Sequence, residues 1–434
     1  MKKIKYLLLL ILPILSGCYN YRELNELGIT TAVSIDYQDD NFHVIAEVVN
    51  PIKQQDASSS NNSPFVNYSS SASTLQNAFR NIVLESPRQL YAAQLEIIVL
   101  SEEVVSNHLE EVLEYFTRDP ETRTEIKIIV AKTEESTKGI TLQTLLTSFS
   151  SSNILKSLEL QNKVLGTTYP VTLNELLNMY INPYEEVILP SMTLYGNPEI
   201  GDEKENITTS TPKTRVEISG TTITKDNQVL GYLTNEESKI LSVINNKVSE
   251  FLITTNYNNG YIVFEPNRIK VKREVDIKNN IIKVKISGYS KIKEVDTYIS
   301  LKDPKEIKEL NNNLNKEIEN NIKKTFNYIR EEYNTDIFGF QELYYKTDYK
   351  YFKQHCTNWY EEIYPKIKLE VTSNIKLYEK GLISDEKIFY FQVKLSDYKD
   401  KFKAGTYSLN TGMKPTDMMK ILAGISTTDT GDSE

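Results

Sequence analysis

Few residues in this chain are able to do covalent chemistry, and their spacing limits what each can do. His43, His108 and His355 lie far apart, and none belongs to a ligand-spaced cluster. His355 adjoins Cys356, but neighbours in a helix or strand point in different directions, so adjacency does not make a nucleophile–base pair. No Gly-x-Ser-x-Gly, phosphate-loop or dinucleotide-type glycine pattern occurs. The carboxylate pairs Asp39-Asp40 and Glu185-Glu186 fall in expected turns, where water solvates them. The reading is a protein with no catalytic residue, no metal site and no enzymatic activity. The residue that promises chemistry is Cys18.

Cys18 ends the run Leu15-Ser16-Gly17-Cys18, after a basic start (Met1-Lys2-Lys3) and an apolar stretch from Tyr6 to Leu15. A basic start, a short apolar middle and small residues at its end make an export signal, here residues 1–17. The apolar stretch falls well short of the ~20 residues that span a bilayer. The four residues resemble a bacterial lipobox, whose cysteine sulfur takes a diacylglyceryl group before the chain is cut in front of it and N-acylated. One acyl chain holds a protein only marginally. Several, at about 0.8 kcal/mol per buried methylene, anchor it. Apart from that covalent lipid on Cys18, no cofactor is expected. Cys356 then lacks a disulfide partner and reads as a small core residue. With 39% hydrophobic and 25% charged residues the chain is a folding one. A net charge of -9 argues against nucleic acid as a partner.

The elements follow from periodicity. Ile29 to Tyr37 and Phe42 to Asn50 predict a hairpin around Gln38-Asp39-Asp40-Asn41, and the Ser/Asn/Gln-rich residues 53–73 a mobile loop. An alternation follows: a helix capped by Ser73 or Thr74, a strand from Leu95 to Leu100, one helix capped by Ser101 and running past Phe116, a strand from Glu125 to Lys132, a helix from Thr172 to Tyr180 and a strand from Val187 to Tyr195. The polar stretch from Gly196 to Pro212 reads as the domain boundary. Beyond it, strands are expected at 214–224, 228–233, 250–255, 260–265, 268–277 and 281–290, with a short helix at 235–246. Pro304 opens a long helix whose apolar stripe (Ile307, Leu310, Leu314, Ile318, Ile322, Phe326, Ile329) is expected to pack on the sheet. A helical piece at 337–355 and a strand from Lys366 to Tyr378 follow. Tyr344, Tyr345, Tyr349, Tyr351 and Phe352 are read mainly as core. The class is α+β: a mixed α/β first domain, then a β-rich region with a long helix on a sheet.

Several short segments, in this order and spacing, resemble the Ger(x)C family of spore-germination lipoproteins over residues 1 to about 383. They are Arg22-Glu23-Leu24-Asn25-Glu26-Leu27-Gly28, Val48-Val49-Asn50-Pro51, Ser86-Pro87-Arg88-Gln89-Leu90-Tyr91, Phe116-Thr117-Arg118-Asp119-Pro120-Glu121-Thr122-Arg123, Val229-Leu230-Gly231-Tyr232-Leu233 and Asp336-Ile337-Phe338-Gly339, with the stretch from Trp359 to Gly381. Tyr19 stands where the family usually has Trp, and Gln94 where His is common. The resemblance implies a non-enzymatic C subunit of a nutrient germinant receptor, lipid-anchored on the outer face of the spore inner membrane. It also implies integral membrane subunits of the A and B type as partners. The expected division is residues 18–200 and 213–383 as the two family domains.

From about Tyr378 the chain departs from that family. Lys403-Ala404-Gly405-Thr406-Tyr407, Gly412-Met413 and Ile421-Leu422-Ala423-Gly424 are similar to the LysM-like segment of YceG-like endolytic murein transglycosylases. The tail over 384–425 is therefore read either as in contact with peptidoglycan or as a packing extension, followed by a Thr/Asp/Ser-rich disordered end at 426–434. The alternative function is accordingly a cell-wall-binding or lytic-transglycosylase-related lipoprotein.

Overall fold

The computed structural model describes residues 23–51, 63–297, 299, 301 and 303–379. The expected hairpin is present: β1 (Leu27–Gln38) pairs antiparallel with β2 (Asn41–Val49). Asp39 and Asp40 take φ of 48° and 58° in its tight turn, a left-handed conformation that Asp tolerates and that matches the twist of the strands. The serine-rich stretch is not all loop. Phe65–Ala72 forms β3, an edge strand paired along its length with β2, while residues 52–62 lie outside the described residues. Its second half, Ser69-Ser70-Ser71, is short and polar, so alternation gave no sign of it.

Helix α1 (Leu75–Asn81) is capped by Thr74, and β4 (Gln89–Tyr91) then pairs parallel with the start of β1. After β5 (Ile97–Ser101), the expected single helix is two, α2 (Glu102–Asn107) and α3 (Leu109–Arg118). The chain breaks at His108, whose ring stacks on Tyr37 with centroids 3.7 Å apart. Strand β6 (Lys127–Ala131) leads to α4 (Ser150–Val164), a helix the sequence pattern does not reveal. Then come β7 (Val171–Thr172), α5 (Leu173–Ile181) and β8 (Pro190–Tyr195). The polar stretch carries two short helices, α6 (Pro198–Asp202) and α7 (Glu205–Thr208), before β9 (Arg215–Lys225), β10 (Gln228–Tyr232) and α8 (Asn235–Ile244). Strands β8 and β9 pair with each other, so this stretch joins neighbours within one sheet.

That sheet has the order β10-β9-β8-β6-β5-β1-β2-β3, with β4 and β7 added beside β1 and β6. It is parallel at the centre, where β1, β5, β6 and β8 run together, and antiparallel towards both edges. All five residues of β5 are buried, as a parallel strand covered on both faces requires. Ala32, Ile97, Val99, Ile129, Ala131 and Met192 of the sheet pack with Ile154 and Leu158 of α4 in one cluster.

The second sheet has the order β11-β12-β13-β14, from β11 (Ile253–Tyr257), β12 (Gly260–Asp276), β13 (Ile281–Val295) and β14 (Lys368–Glu379). The two strands expected at 260–265 and 268–277 are one, continuous through Arg268 at a φ of 52°. Helix α9 (Pro304–Glu332) buries Leu310, Leu314, Ile318, Ile322, Phe326 and Ile329, as its stripe predicts. The last helical piece divides into α10 (Phe340–Thr347) and α11 (Tyr349–His355). The described chain forms two compact units. One comprises the residues up to Phe251 with Arg268–Ser287 and Glu319–Thr372, and the other Leu252–Asn267, Gly288–Ile318 and the chain from Ser373.

In the smaller unit, polar side chains of α9 serve the edge strand. Asn311 Oδ1 accepts from the Leu377 N–H at 2.9 Å. Asn315 Oδ1 accepts from the Ile375 N–H at 2.8 Å, and its Nδ2 donates to the Ile375 carbonyl at 3.0 Å. Backbone groups of β14 that would otherwise invite another strand are thereby satisfied.

In the larger unit, Glu47 of β2 is fully buried. Its carboxylate accepts from the N–H groups of Ser150 (2.7 Å) and Ser151 (3.3 Å), and from the Thr31 hydroxyl (2.6 Å). These are the first two residues of α4, whose own N-cap, Phe149, has no side chain able to cap. Burial raises the Glu47 pKa against those hydrogen bonds. Glu47→Ala should lower stability by roughly 3 kcal/mol in urea unfolding, because it strands two helix N–H groups in the core. An unchanged midpoint would mean that α4 does not need this cap.

Candidate functional site

Two concave sites lie in the larger unit. The first is a groove of about 640 Å³. Gln89 and Leu90 of β4, Arg118, Asp119, Pro120 and Glu121 after α3, and Phe79 and Arg80 of α1 line it. Two of the segments that carry the family resemblance, 86–91 and 116–123, thus meet at one surface. Phe79 stacks on Tyr115 with centroids 4.6 Å apart, and Phe116 meets both rings edge-on. Burial and Asp119 raise the Tyr115 pKa, so its phenol stays neutral. Asp119 shapes the loop by accepting from the Glu121 N–H at 3.0 Å and the Thr122 hydroxyl at 3.2 Å. Arg118 is exposed and pairs with Glu114 across one helical turn at 2.6 Å. Aromatic faces beside exposed charges suit contact with a peptide or protein surface.

The second site is a cavity of about 230 Å³ between α5, the turn before β8, and the Asp336-Ile337-Phe338-Gly339 segment. Glu185 and Glu186, expected to be solvated, line it instead, because the chain after Gly339 folds over their turn. Glu186 accepts from the Tyr360 hydroxyl and from the Asp226 N–H, and burial raises its pKa. Burial and the neighbouring Glu342 raise that of Glu185. Glu175 pairs with Lys247, while Arg273 donates to Asn245 Oδ1 and to the Phe338 carbonyl. Asp336 is 2% exposed. Its Oδ2 accepts from the Gln341 N–H at 2.6 Å, and its Oδ1 has no hydrogen-bond partner.

The residues named from sequence chemistry are scattered. Leu15, Ser16, Gly17 and Cys18 lie outside the described residues, as does the chain from Lys380 onward. His43 Nδ1 meets the Ser71 hydroxyl at 2.6 Å, a cross-strand pair that the unforeseen β3 creates. His108 sits at the helix break, and its Nδ1 lies 3.3 Å from Glu111. His355 ends α11 against Tyr351, and Cys356 beside it is buried and free, with its thiol pKa raised by burial. Tyr344 and Phe352 are buried, Tyr345 and Tyr351 half-buried, and Tyr349 exposed. Among the described residues, no three His, Cys, Asp or Glu gather as metal ligands. None of their helices is long and apolar enough to cross a membrane.

Asp336 predicts a pH dependence of stability. Burial pushes its pKa up to about 7 from an ordinary 3.8, with Glu186 adding to the shift. The folded state therefore holds the proton more tightly than the unfolded chain. The contribution of this group to stability is fully present below about pH 4 and is lost as pH rises through 7. Asp336→Asn should flatten that decline when thermal unfolding is followed from pH 4 to 8. Equal slopes in both proteins would place the proton elsewhere.

Comparison with known proteins adds what geometry alone does not supply. Residues 20–194 match the family described as spore germination protein N-terminal domain, and residues 219–381 match spore germination B3/GerAC like, C-terminal. Spore germination protein KC of Bacillus subtilis is 23% identical over 387 residues, covering 87% of this chain and 95% of that protein. Spore germination protein B3 of the same species is 21% identical, covering 74% and 83%. GerQC of Bacillus cereus is 23% identical, covering 73% and 82%. The crystal structure of the GerBC protein superposes with a TM-score of 0.49 at 16% identity, covering 80% of this chain and 96% of that one. The two matches take up most of the chain in the family's own order, and the chain belongs to the GerAC-like spore germination proteins.

Proposed function

We propose that this protein is the lipid-anchored C-type subunit of a spore nutrient germinant receptor, non-enzymatic and assembled with integral membrane subunits of the A and B type. The supporting observation is coverage: both family matches are present in order, and nearly the whole of a germination protein aligns with this chain. The lipid reading rests on Leu15-Ser16-Gly17-Cys18. Glu23 stands five residues after Cys18, a reach of at most about 17 Å of extended chain. A tether this short holds the folded units beside the outer face of the spore inner membrane and raises their effective concentration towards membrane partners.

Cys18→Ala should shift the protein from the membrane to the soluble fraction and weaken the germination response, with the folded units intact. Fractionation identical to wild type would remove the lipid from the mechanism. In this reading the groove beside β4 is the face that meets the membrane subunits. Arg118→Glu, at an exposed position, should reduce co-purification of those subunits several-fold without changing the melting temperature. Leu146→Glu, on a side chain 95% exposed and away from the groove, serves as control. Equal recovery in the two variants would place the contact on another face.

A further inference from the structure

Large apolar side chains stand uncovered at the end of the larger unit where β1 begins. We propose that this end rests in the lipid bilayer, with Leu24, Val83 and Leu84 reaching the boundary between headgroups and acyl chains. The inference rests on the lipid at Cys18 as read above, and adds the face that the anchored protein turns to the membrane.

Topology gathers these residues. Leu24 opens the single turn before β1, and its carbonyl accepts from the Leu27 N–H at the start of that strand. Strands β1 and β3 point the same way, since each pairs antiparallel with β2. Strand β4 begins beside the beginning of β1, with Leu27 opposite Gln89, so the chain from Ala72 to Gln89 travels back along the sheet. Val83 and Leu84 lie at the end of that return. The Ser86 N–H donates to the Ile82 carbonyl at 2.8 Å and folds them into a turn just before β4. Arg88 Nη1 reaches the Leu27 carbonyl at 3.4 Å and joins the two segments. Leu24 is 69% exposed, Val83 53% and Leu84 83%. Contiguous apolar exposure of this kind marks a contact surface.

The tether says what covers it. Leu24 stands six residues after Cys18, at most about 21 Å of extended chain. Strand β1 then leads away, and Gln38 at its far end is about 36 Å further on. An acylated Cys18 therefore keeps this end, and not the opposite one, against the bilayer. The neighbouring charges in the chain are Glu23, Glu26 and Glu85, with Arg88 engaged at the Leu27 carbonyl. The attraction is thus apolar burial, not a cationic face on anionic lipid. Val83 also lines the groove, so this end adjoins the face read as meeting the integral subunits.

The test is fluorescence quenching in phosphatidylcholine vesicles that carry the full-length acylated protein. Leu24→Cys, Leu84→Cys and, as control, Leu230→Cys are each labelled with a nitrobenzoxadiazole dye. Cys18 is acylated and Cys356 is buried, so the introduced thiol takes the label. Leu230 is exposed on β10, at one edge of the sheet and far from β1. Nitroxide-bearing lipid should quench the dyes at positions 24 and 84 at least about twofold more than at 230, most strongly with the nitroxide near the headgroup. Protein that sediments with the vesicles but is quenched equally at all three positions, or at none, overturns the contact and leaves the anchor standing. Quenching at 24 and 84 that appears only after integral receptor subunits are added makes this end a protein contact and overturns it as well. Protein left in the supernatant removes the anchor, and this inference with it.

Discussion

Strands β1, β5 and β6 are buried along most of their lengths in the middle of a sheet, and the larger unit is built to keep them so. A parallel strand needs both faces covered, because its connections return over the sheet as helices. One covering helix, α4, starts with no local cap, and a carboxylate from β2 takes that place inside the core. Ser150 and Ser151 lie more than a hundred residues from Glu47. The packing of this face therefore depends on one long-range, charge-assisted contact in a low dielectric. The buried Thr31 hydroxyl joins the same carboxylate and ties β1 to it.

Sheet edges are handled by local chemistry. Turns at Asp39-Asp40, Asp226-Asn227 and Asn258-Asn259 all place two residues at positive φ, which suits hairpins whose strands twist right-handed. These pairs achieve this without glycine because short Asp and Asn side chains tolerate the left-handed region. On β14 the asparagines of α9 occupy donors and acceptors that an added strand would use. The serine-rich β3 keeps its edge polar.

The two concave sites differ in kind. The groove is the larger of the two, with aromatic faces and exposed charges, which is the composition of a protein contact surface. The cavity is smaller, and burial raises the pKa values of Asp336, Glu185 and Glu186, while against its burial hydrogen bonds from Lys247 and Thr172 lower that of Glu175. Segments distant in the chain make both sites, and each includes at least one of the short motifs that carry the family resemblance. Those motifs therefore mark places where loops must hold a shape as well as places where strands must pack.

By itself the sequence determined the α+β class, the first hairpin, a helix cap at Ser73 or Thr74, the Ser101 cap and the stripe of α9, because each is a pattern among near neighbours. It also carried the family, through short segments in a fixed order. The tertiary structure alone decided that 65–72 is a strand, since its pairing partner is β2 and its own residues show little alternation. It alone revealed α4, whose cap comes from Glu47. It also moved Glu185 and Glu186 from an expected solvated turn into a cavity, because the residues that cover them arrive about 150 positions later in the chain. Local patterns report local energetics, whereas burial and the pKa of a carboxylate depend on which distant segment comes to rest against it.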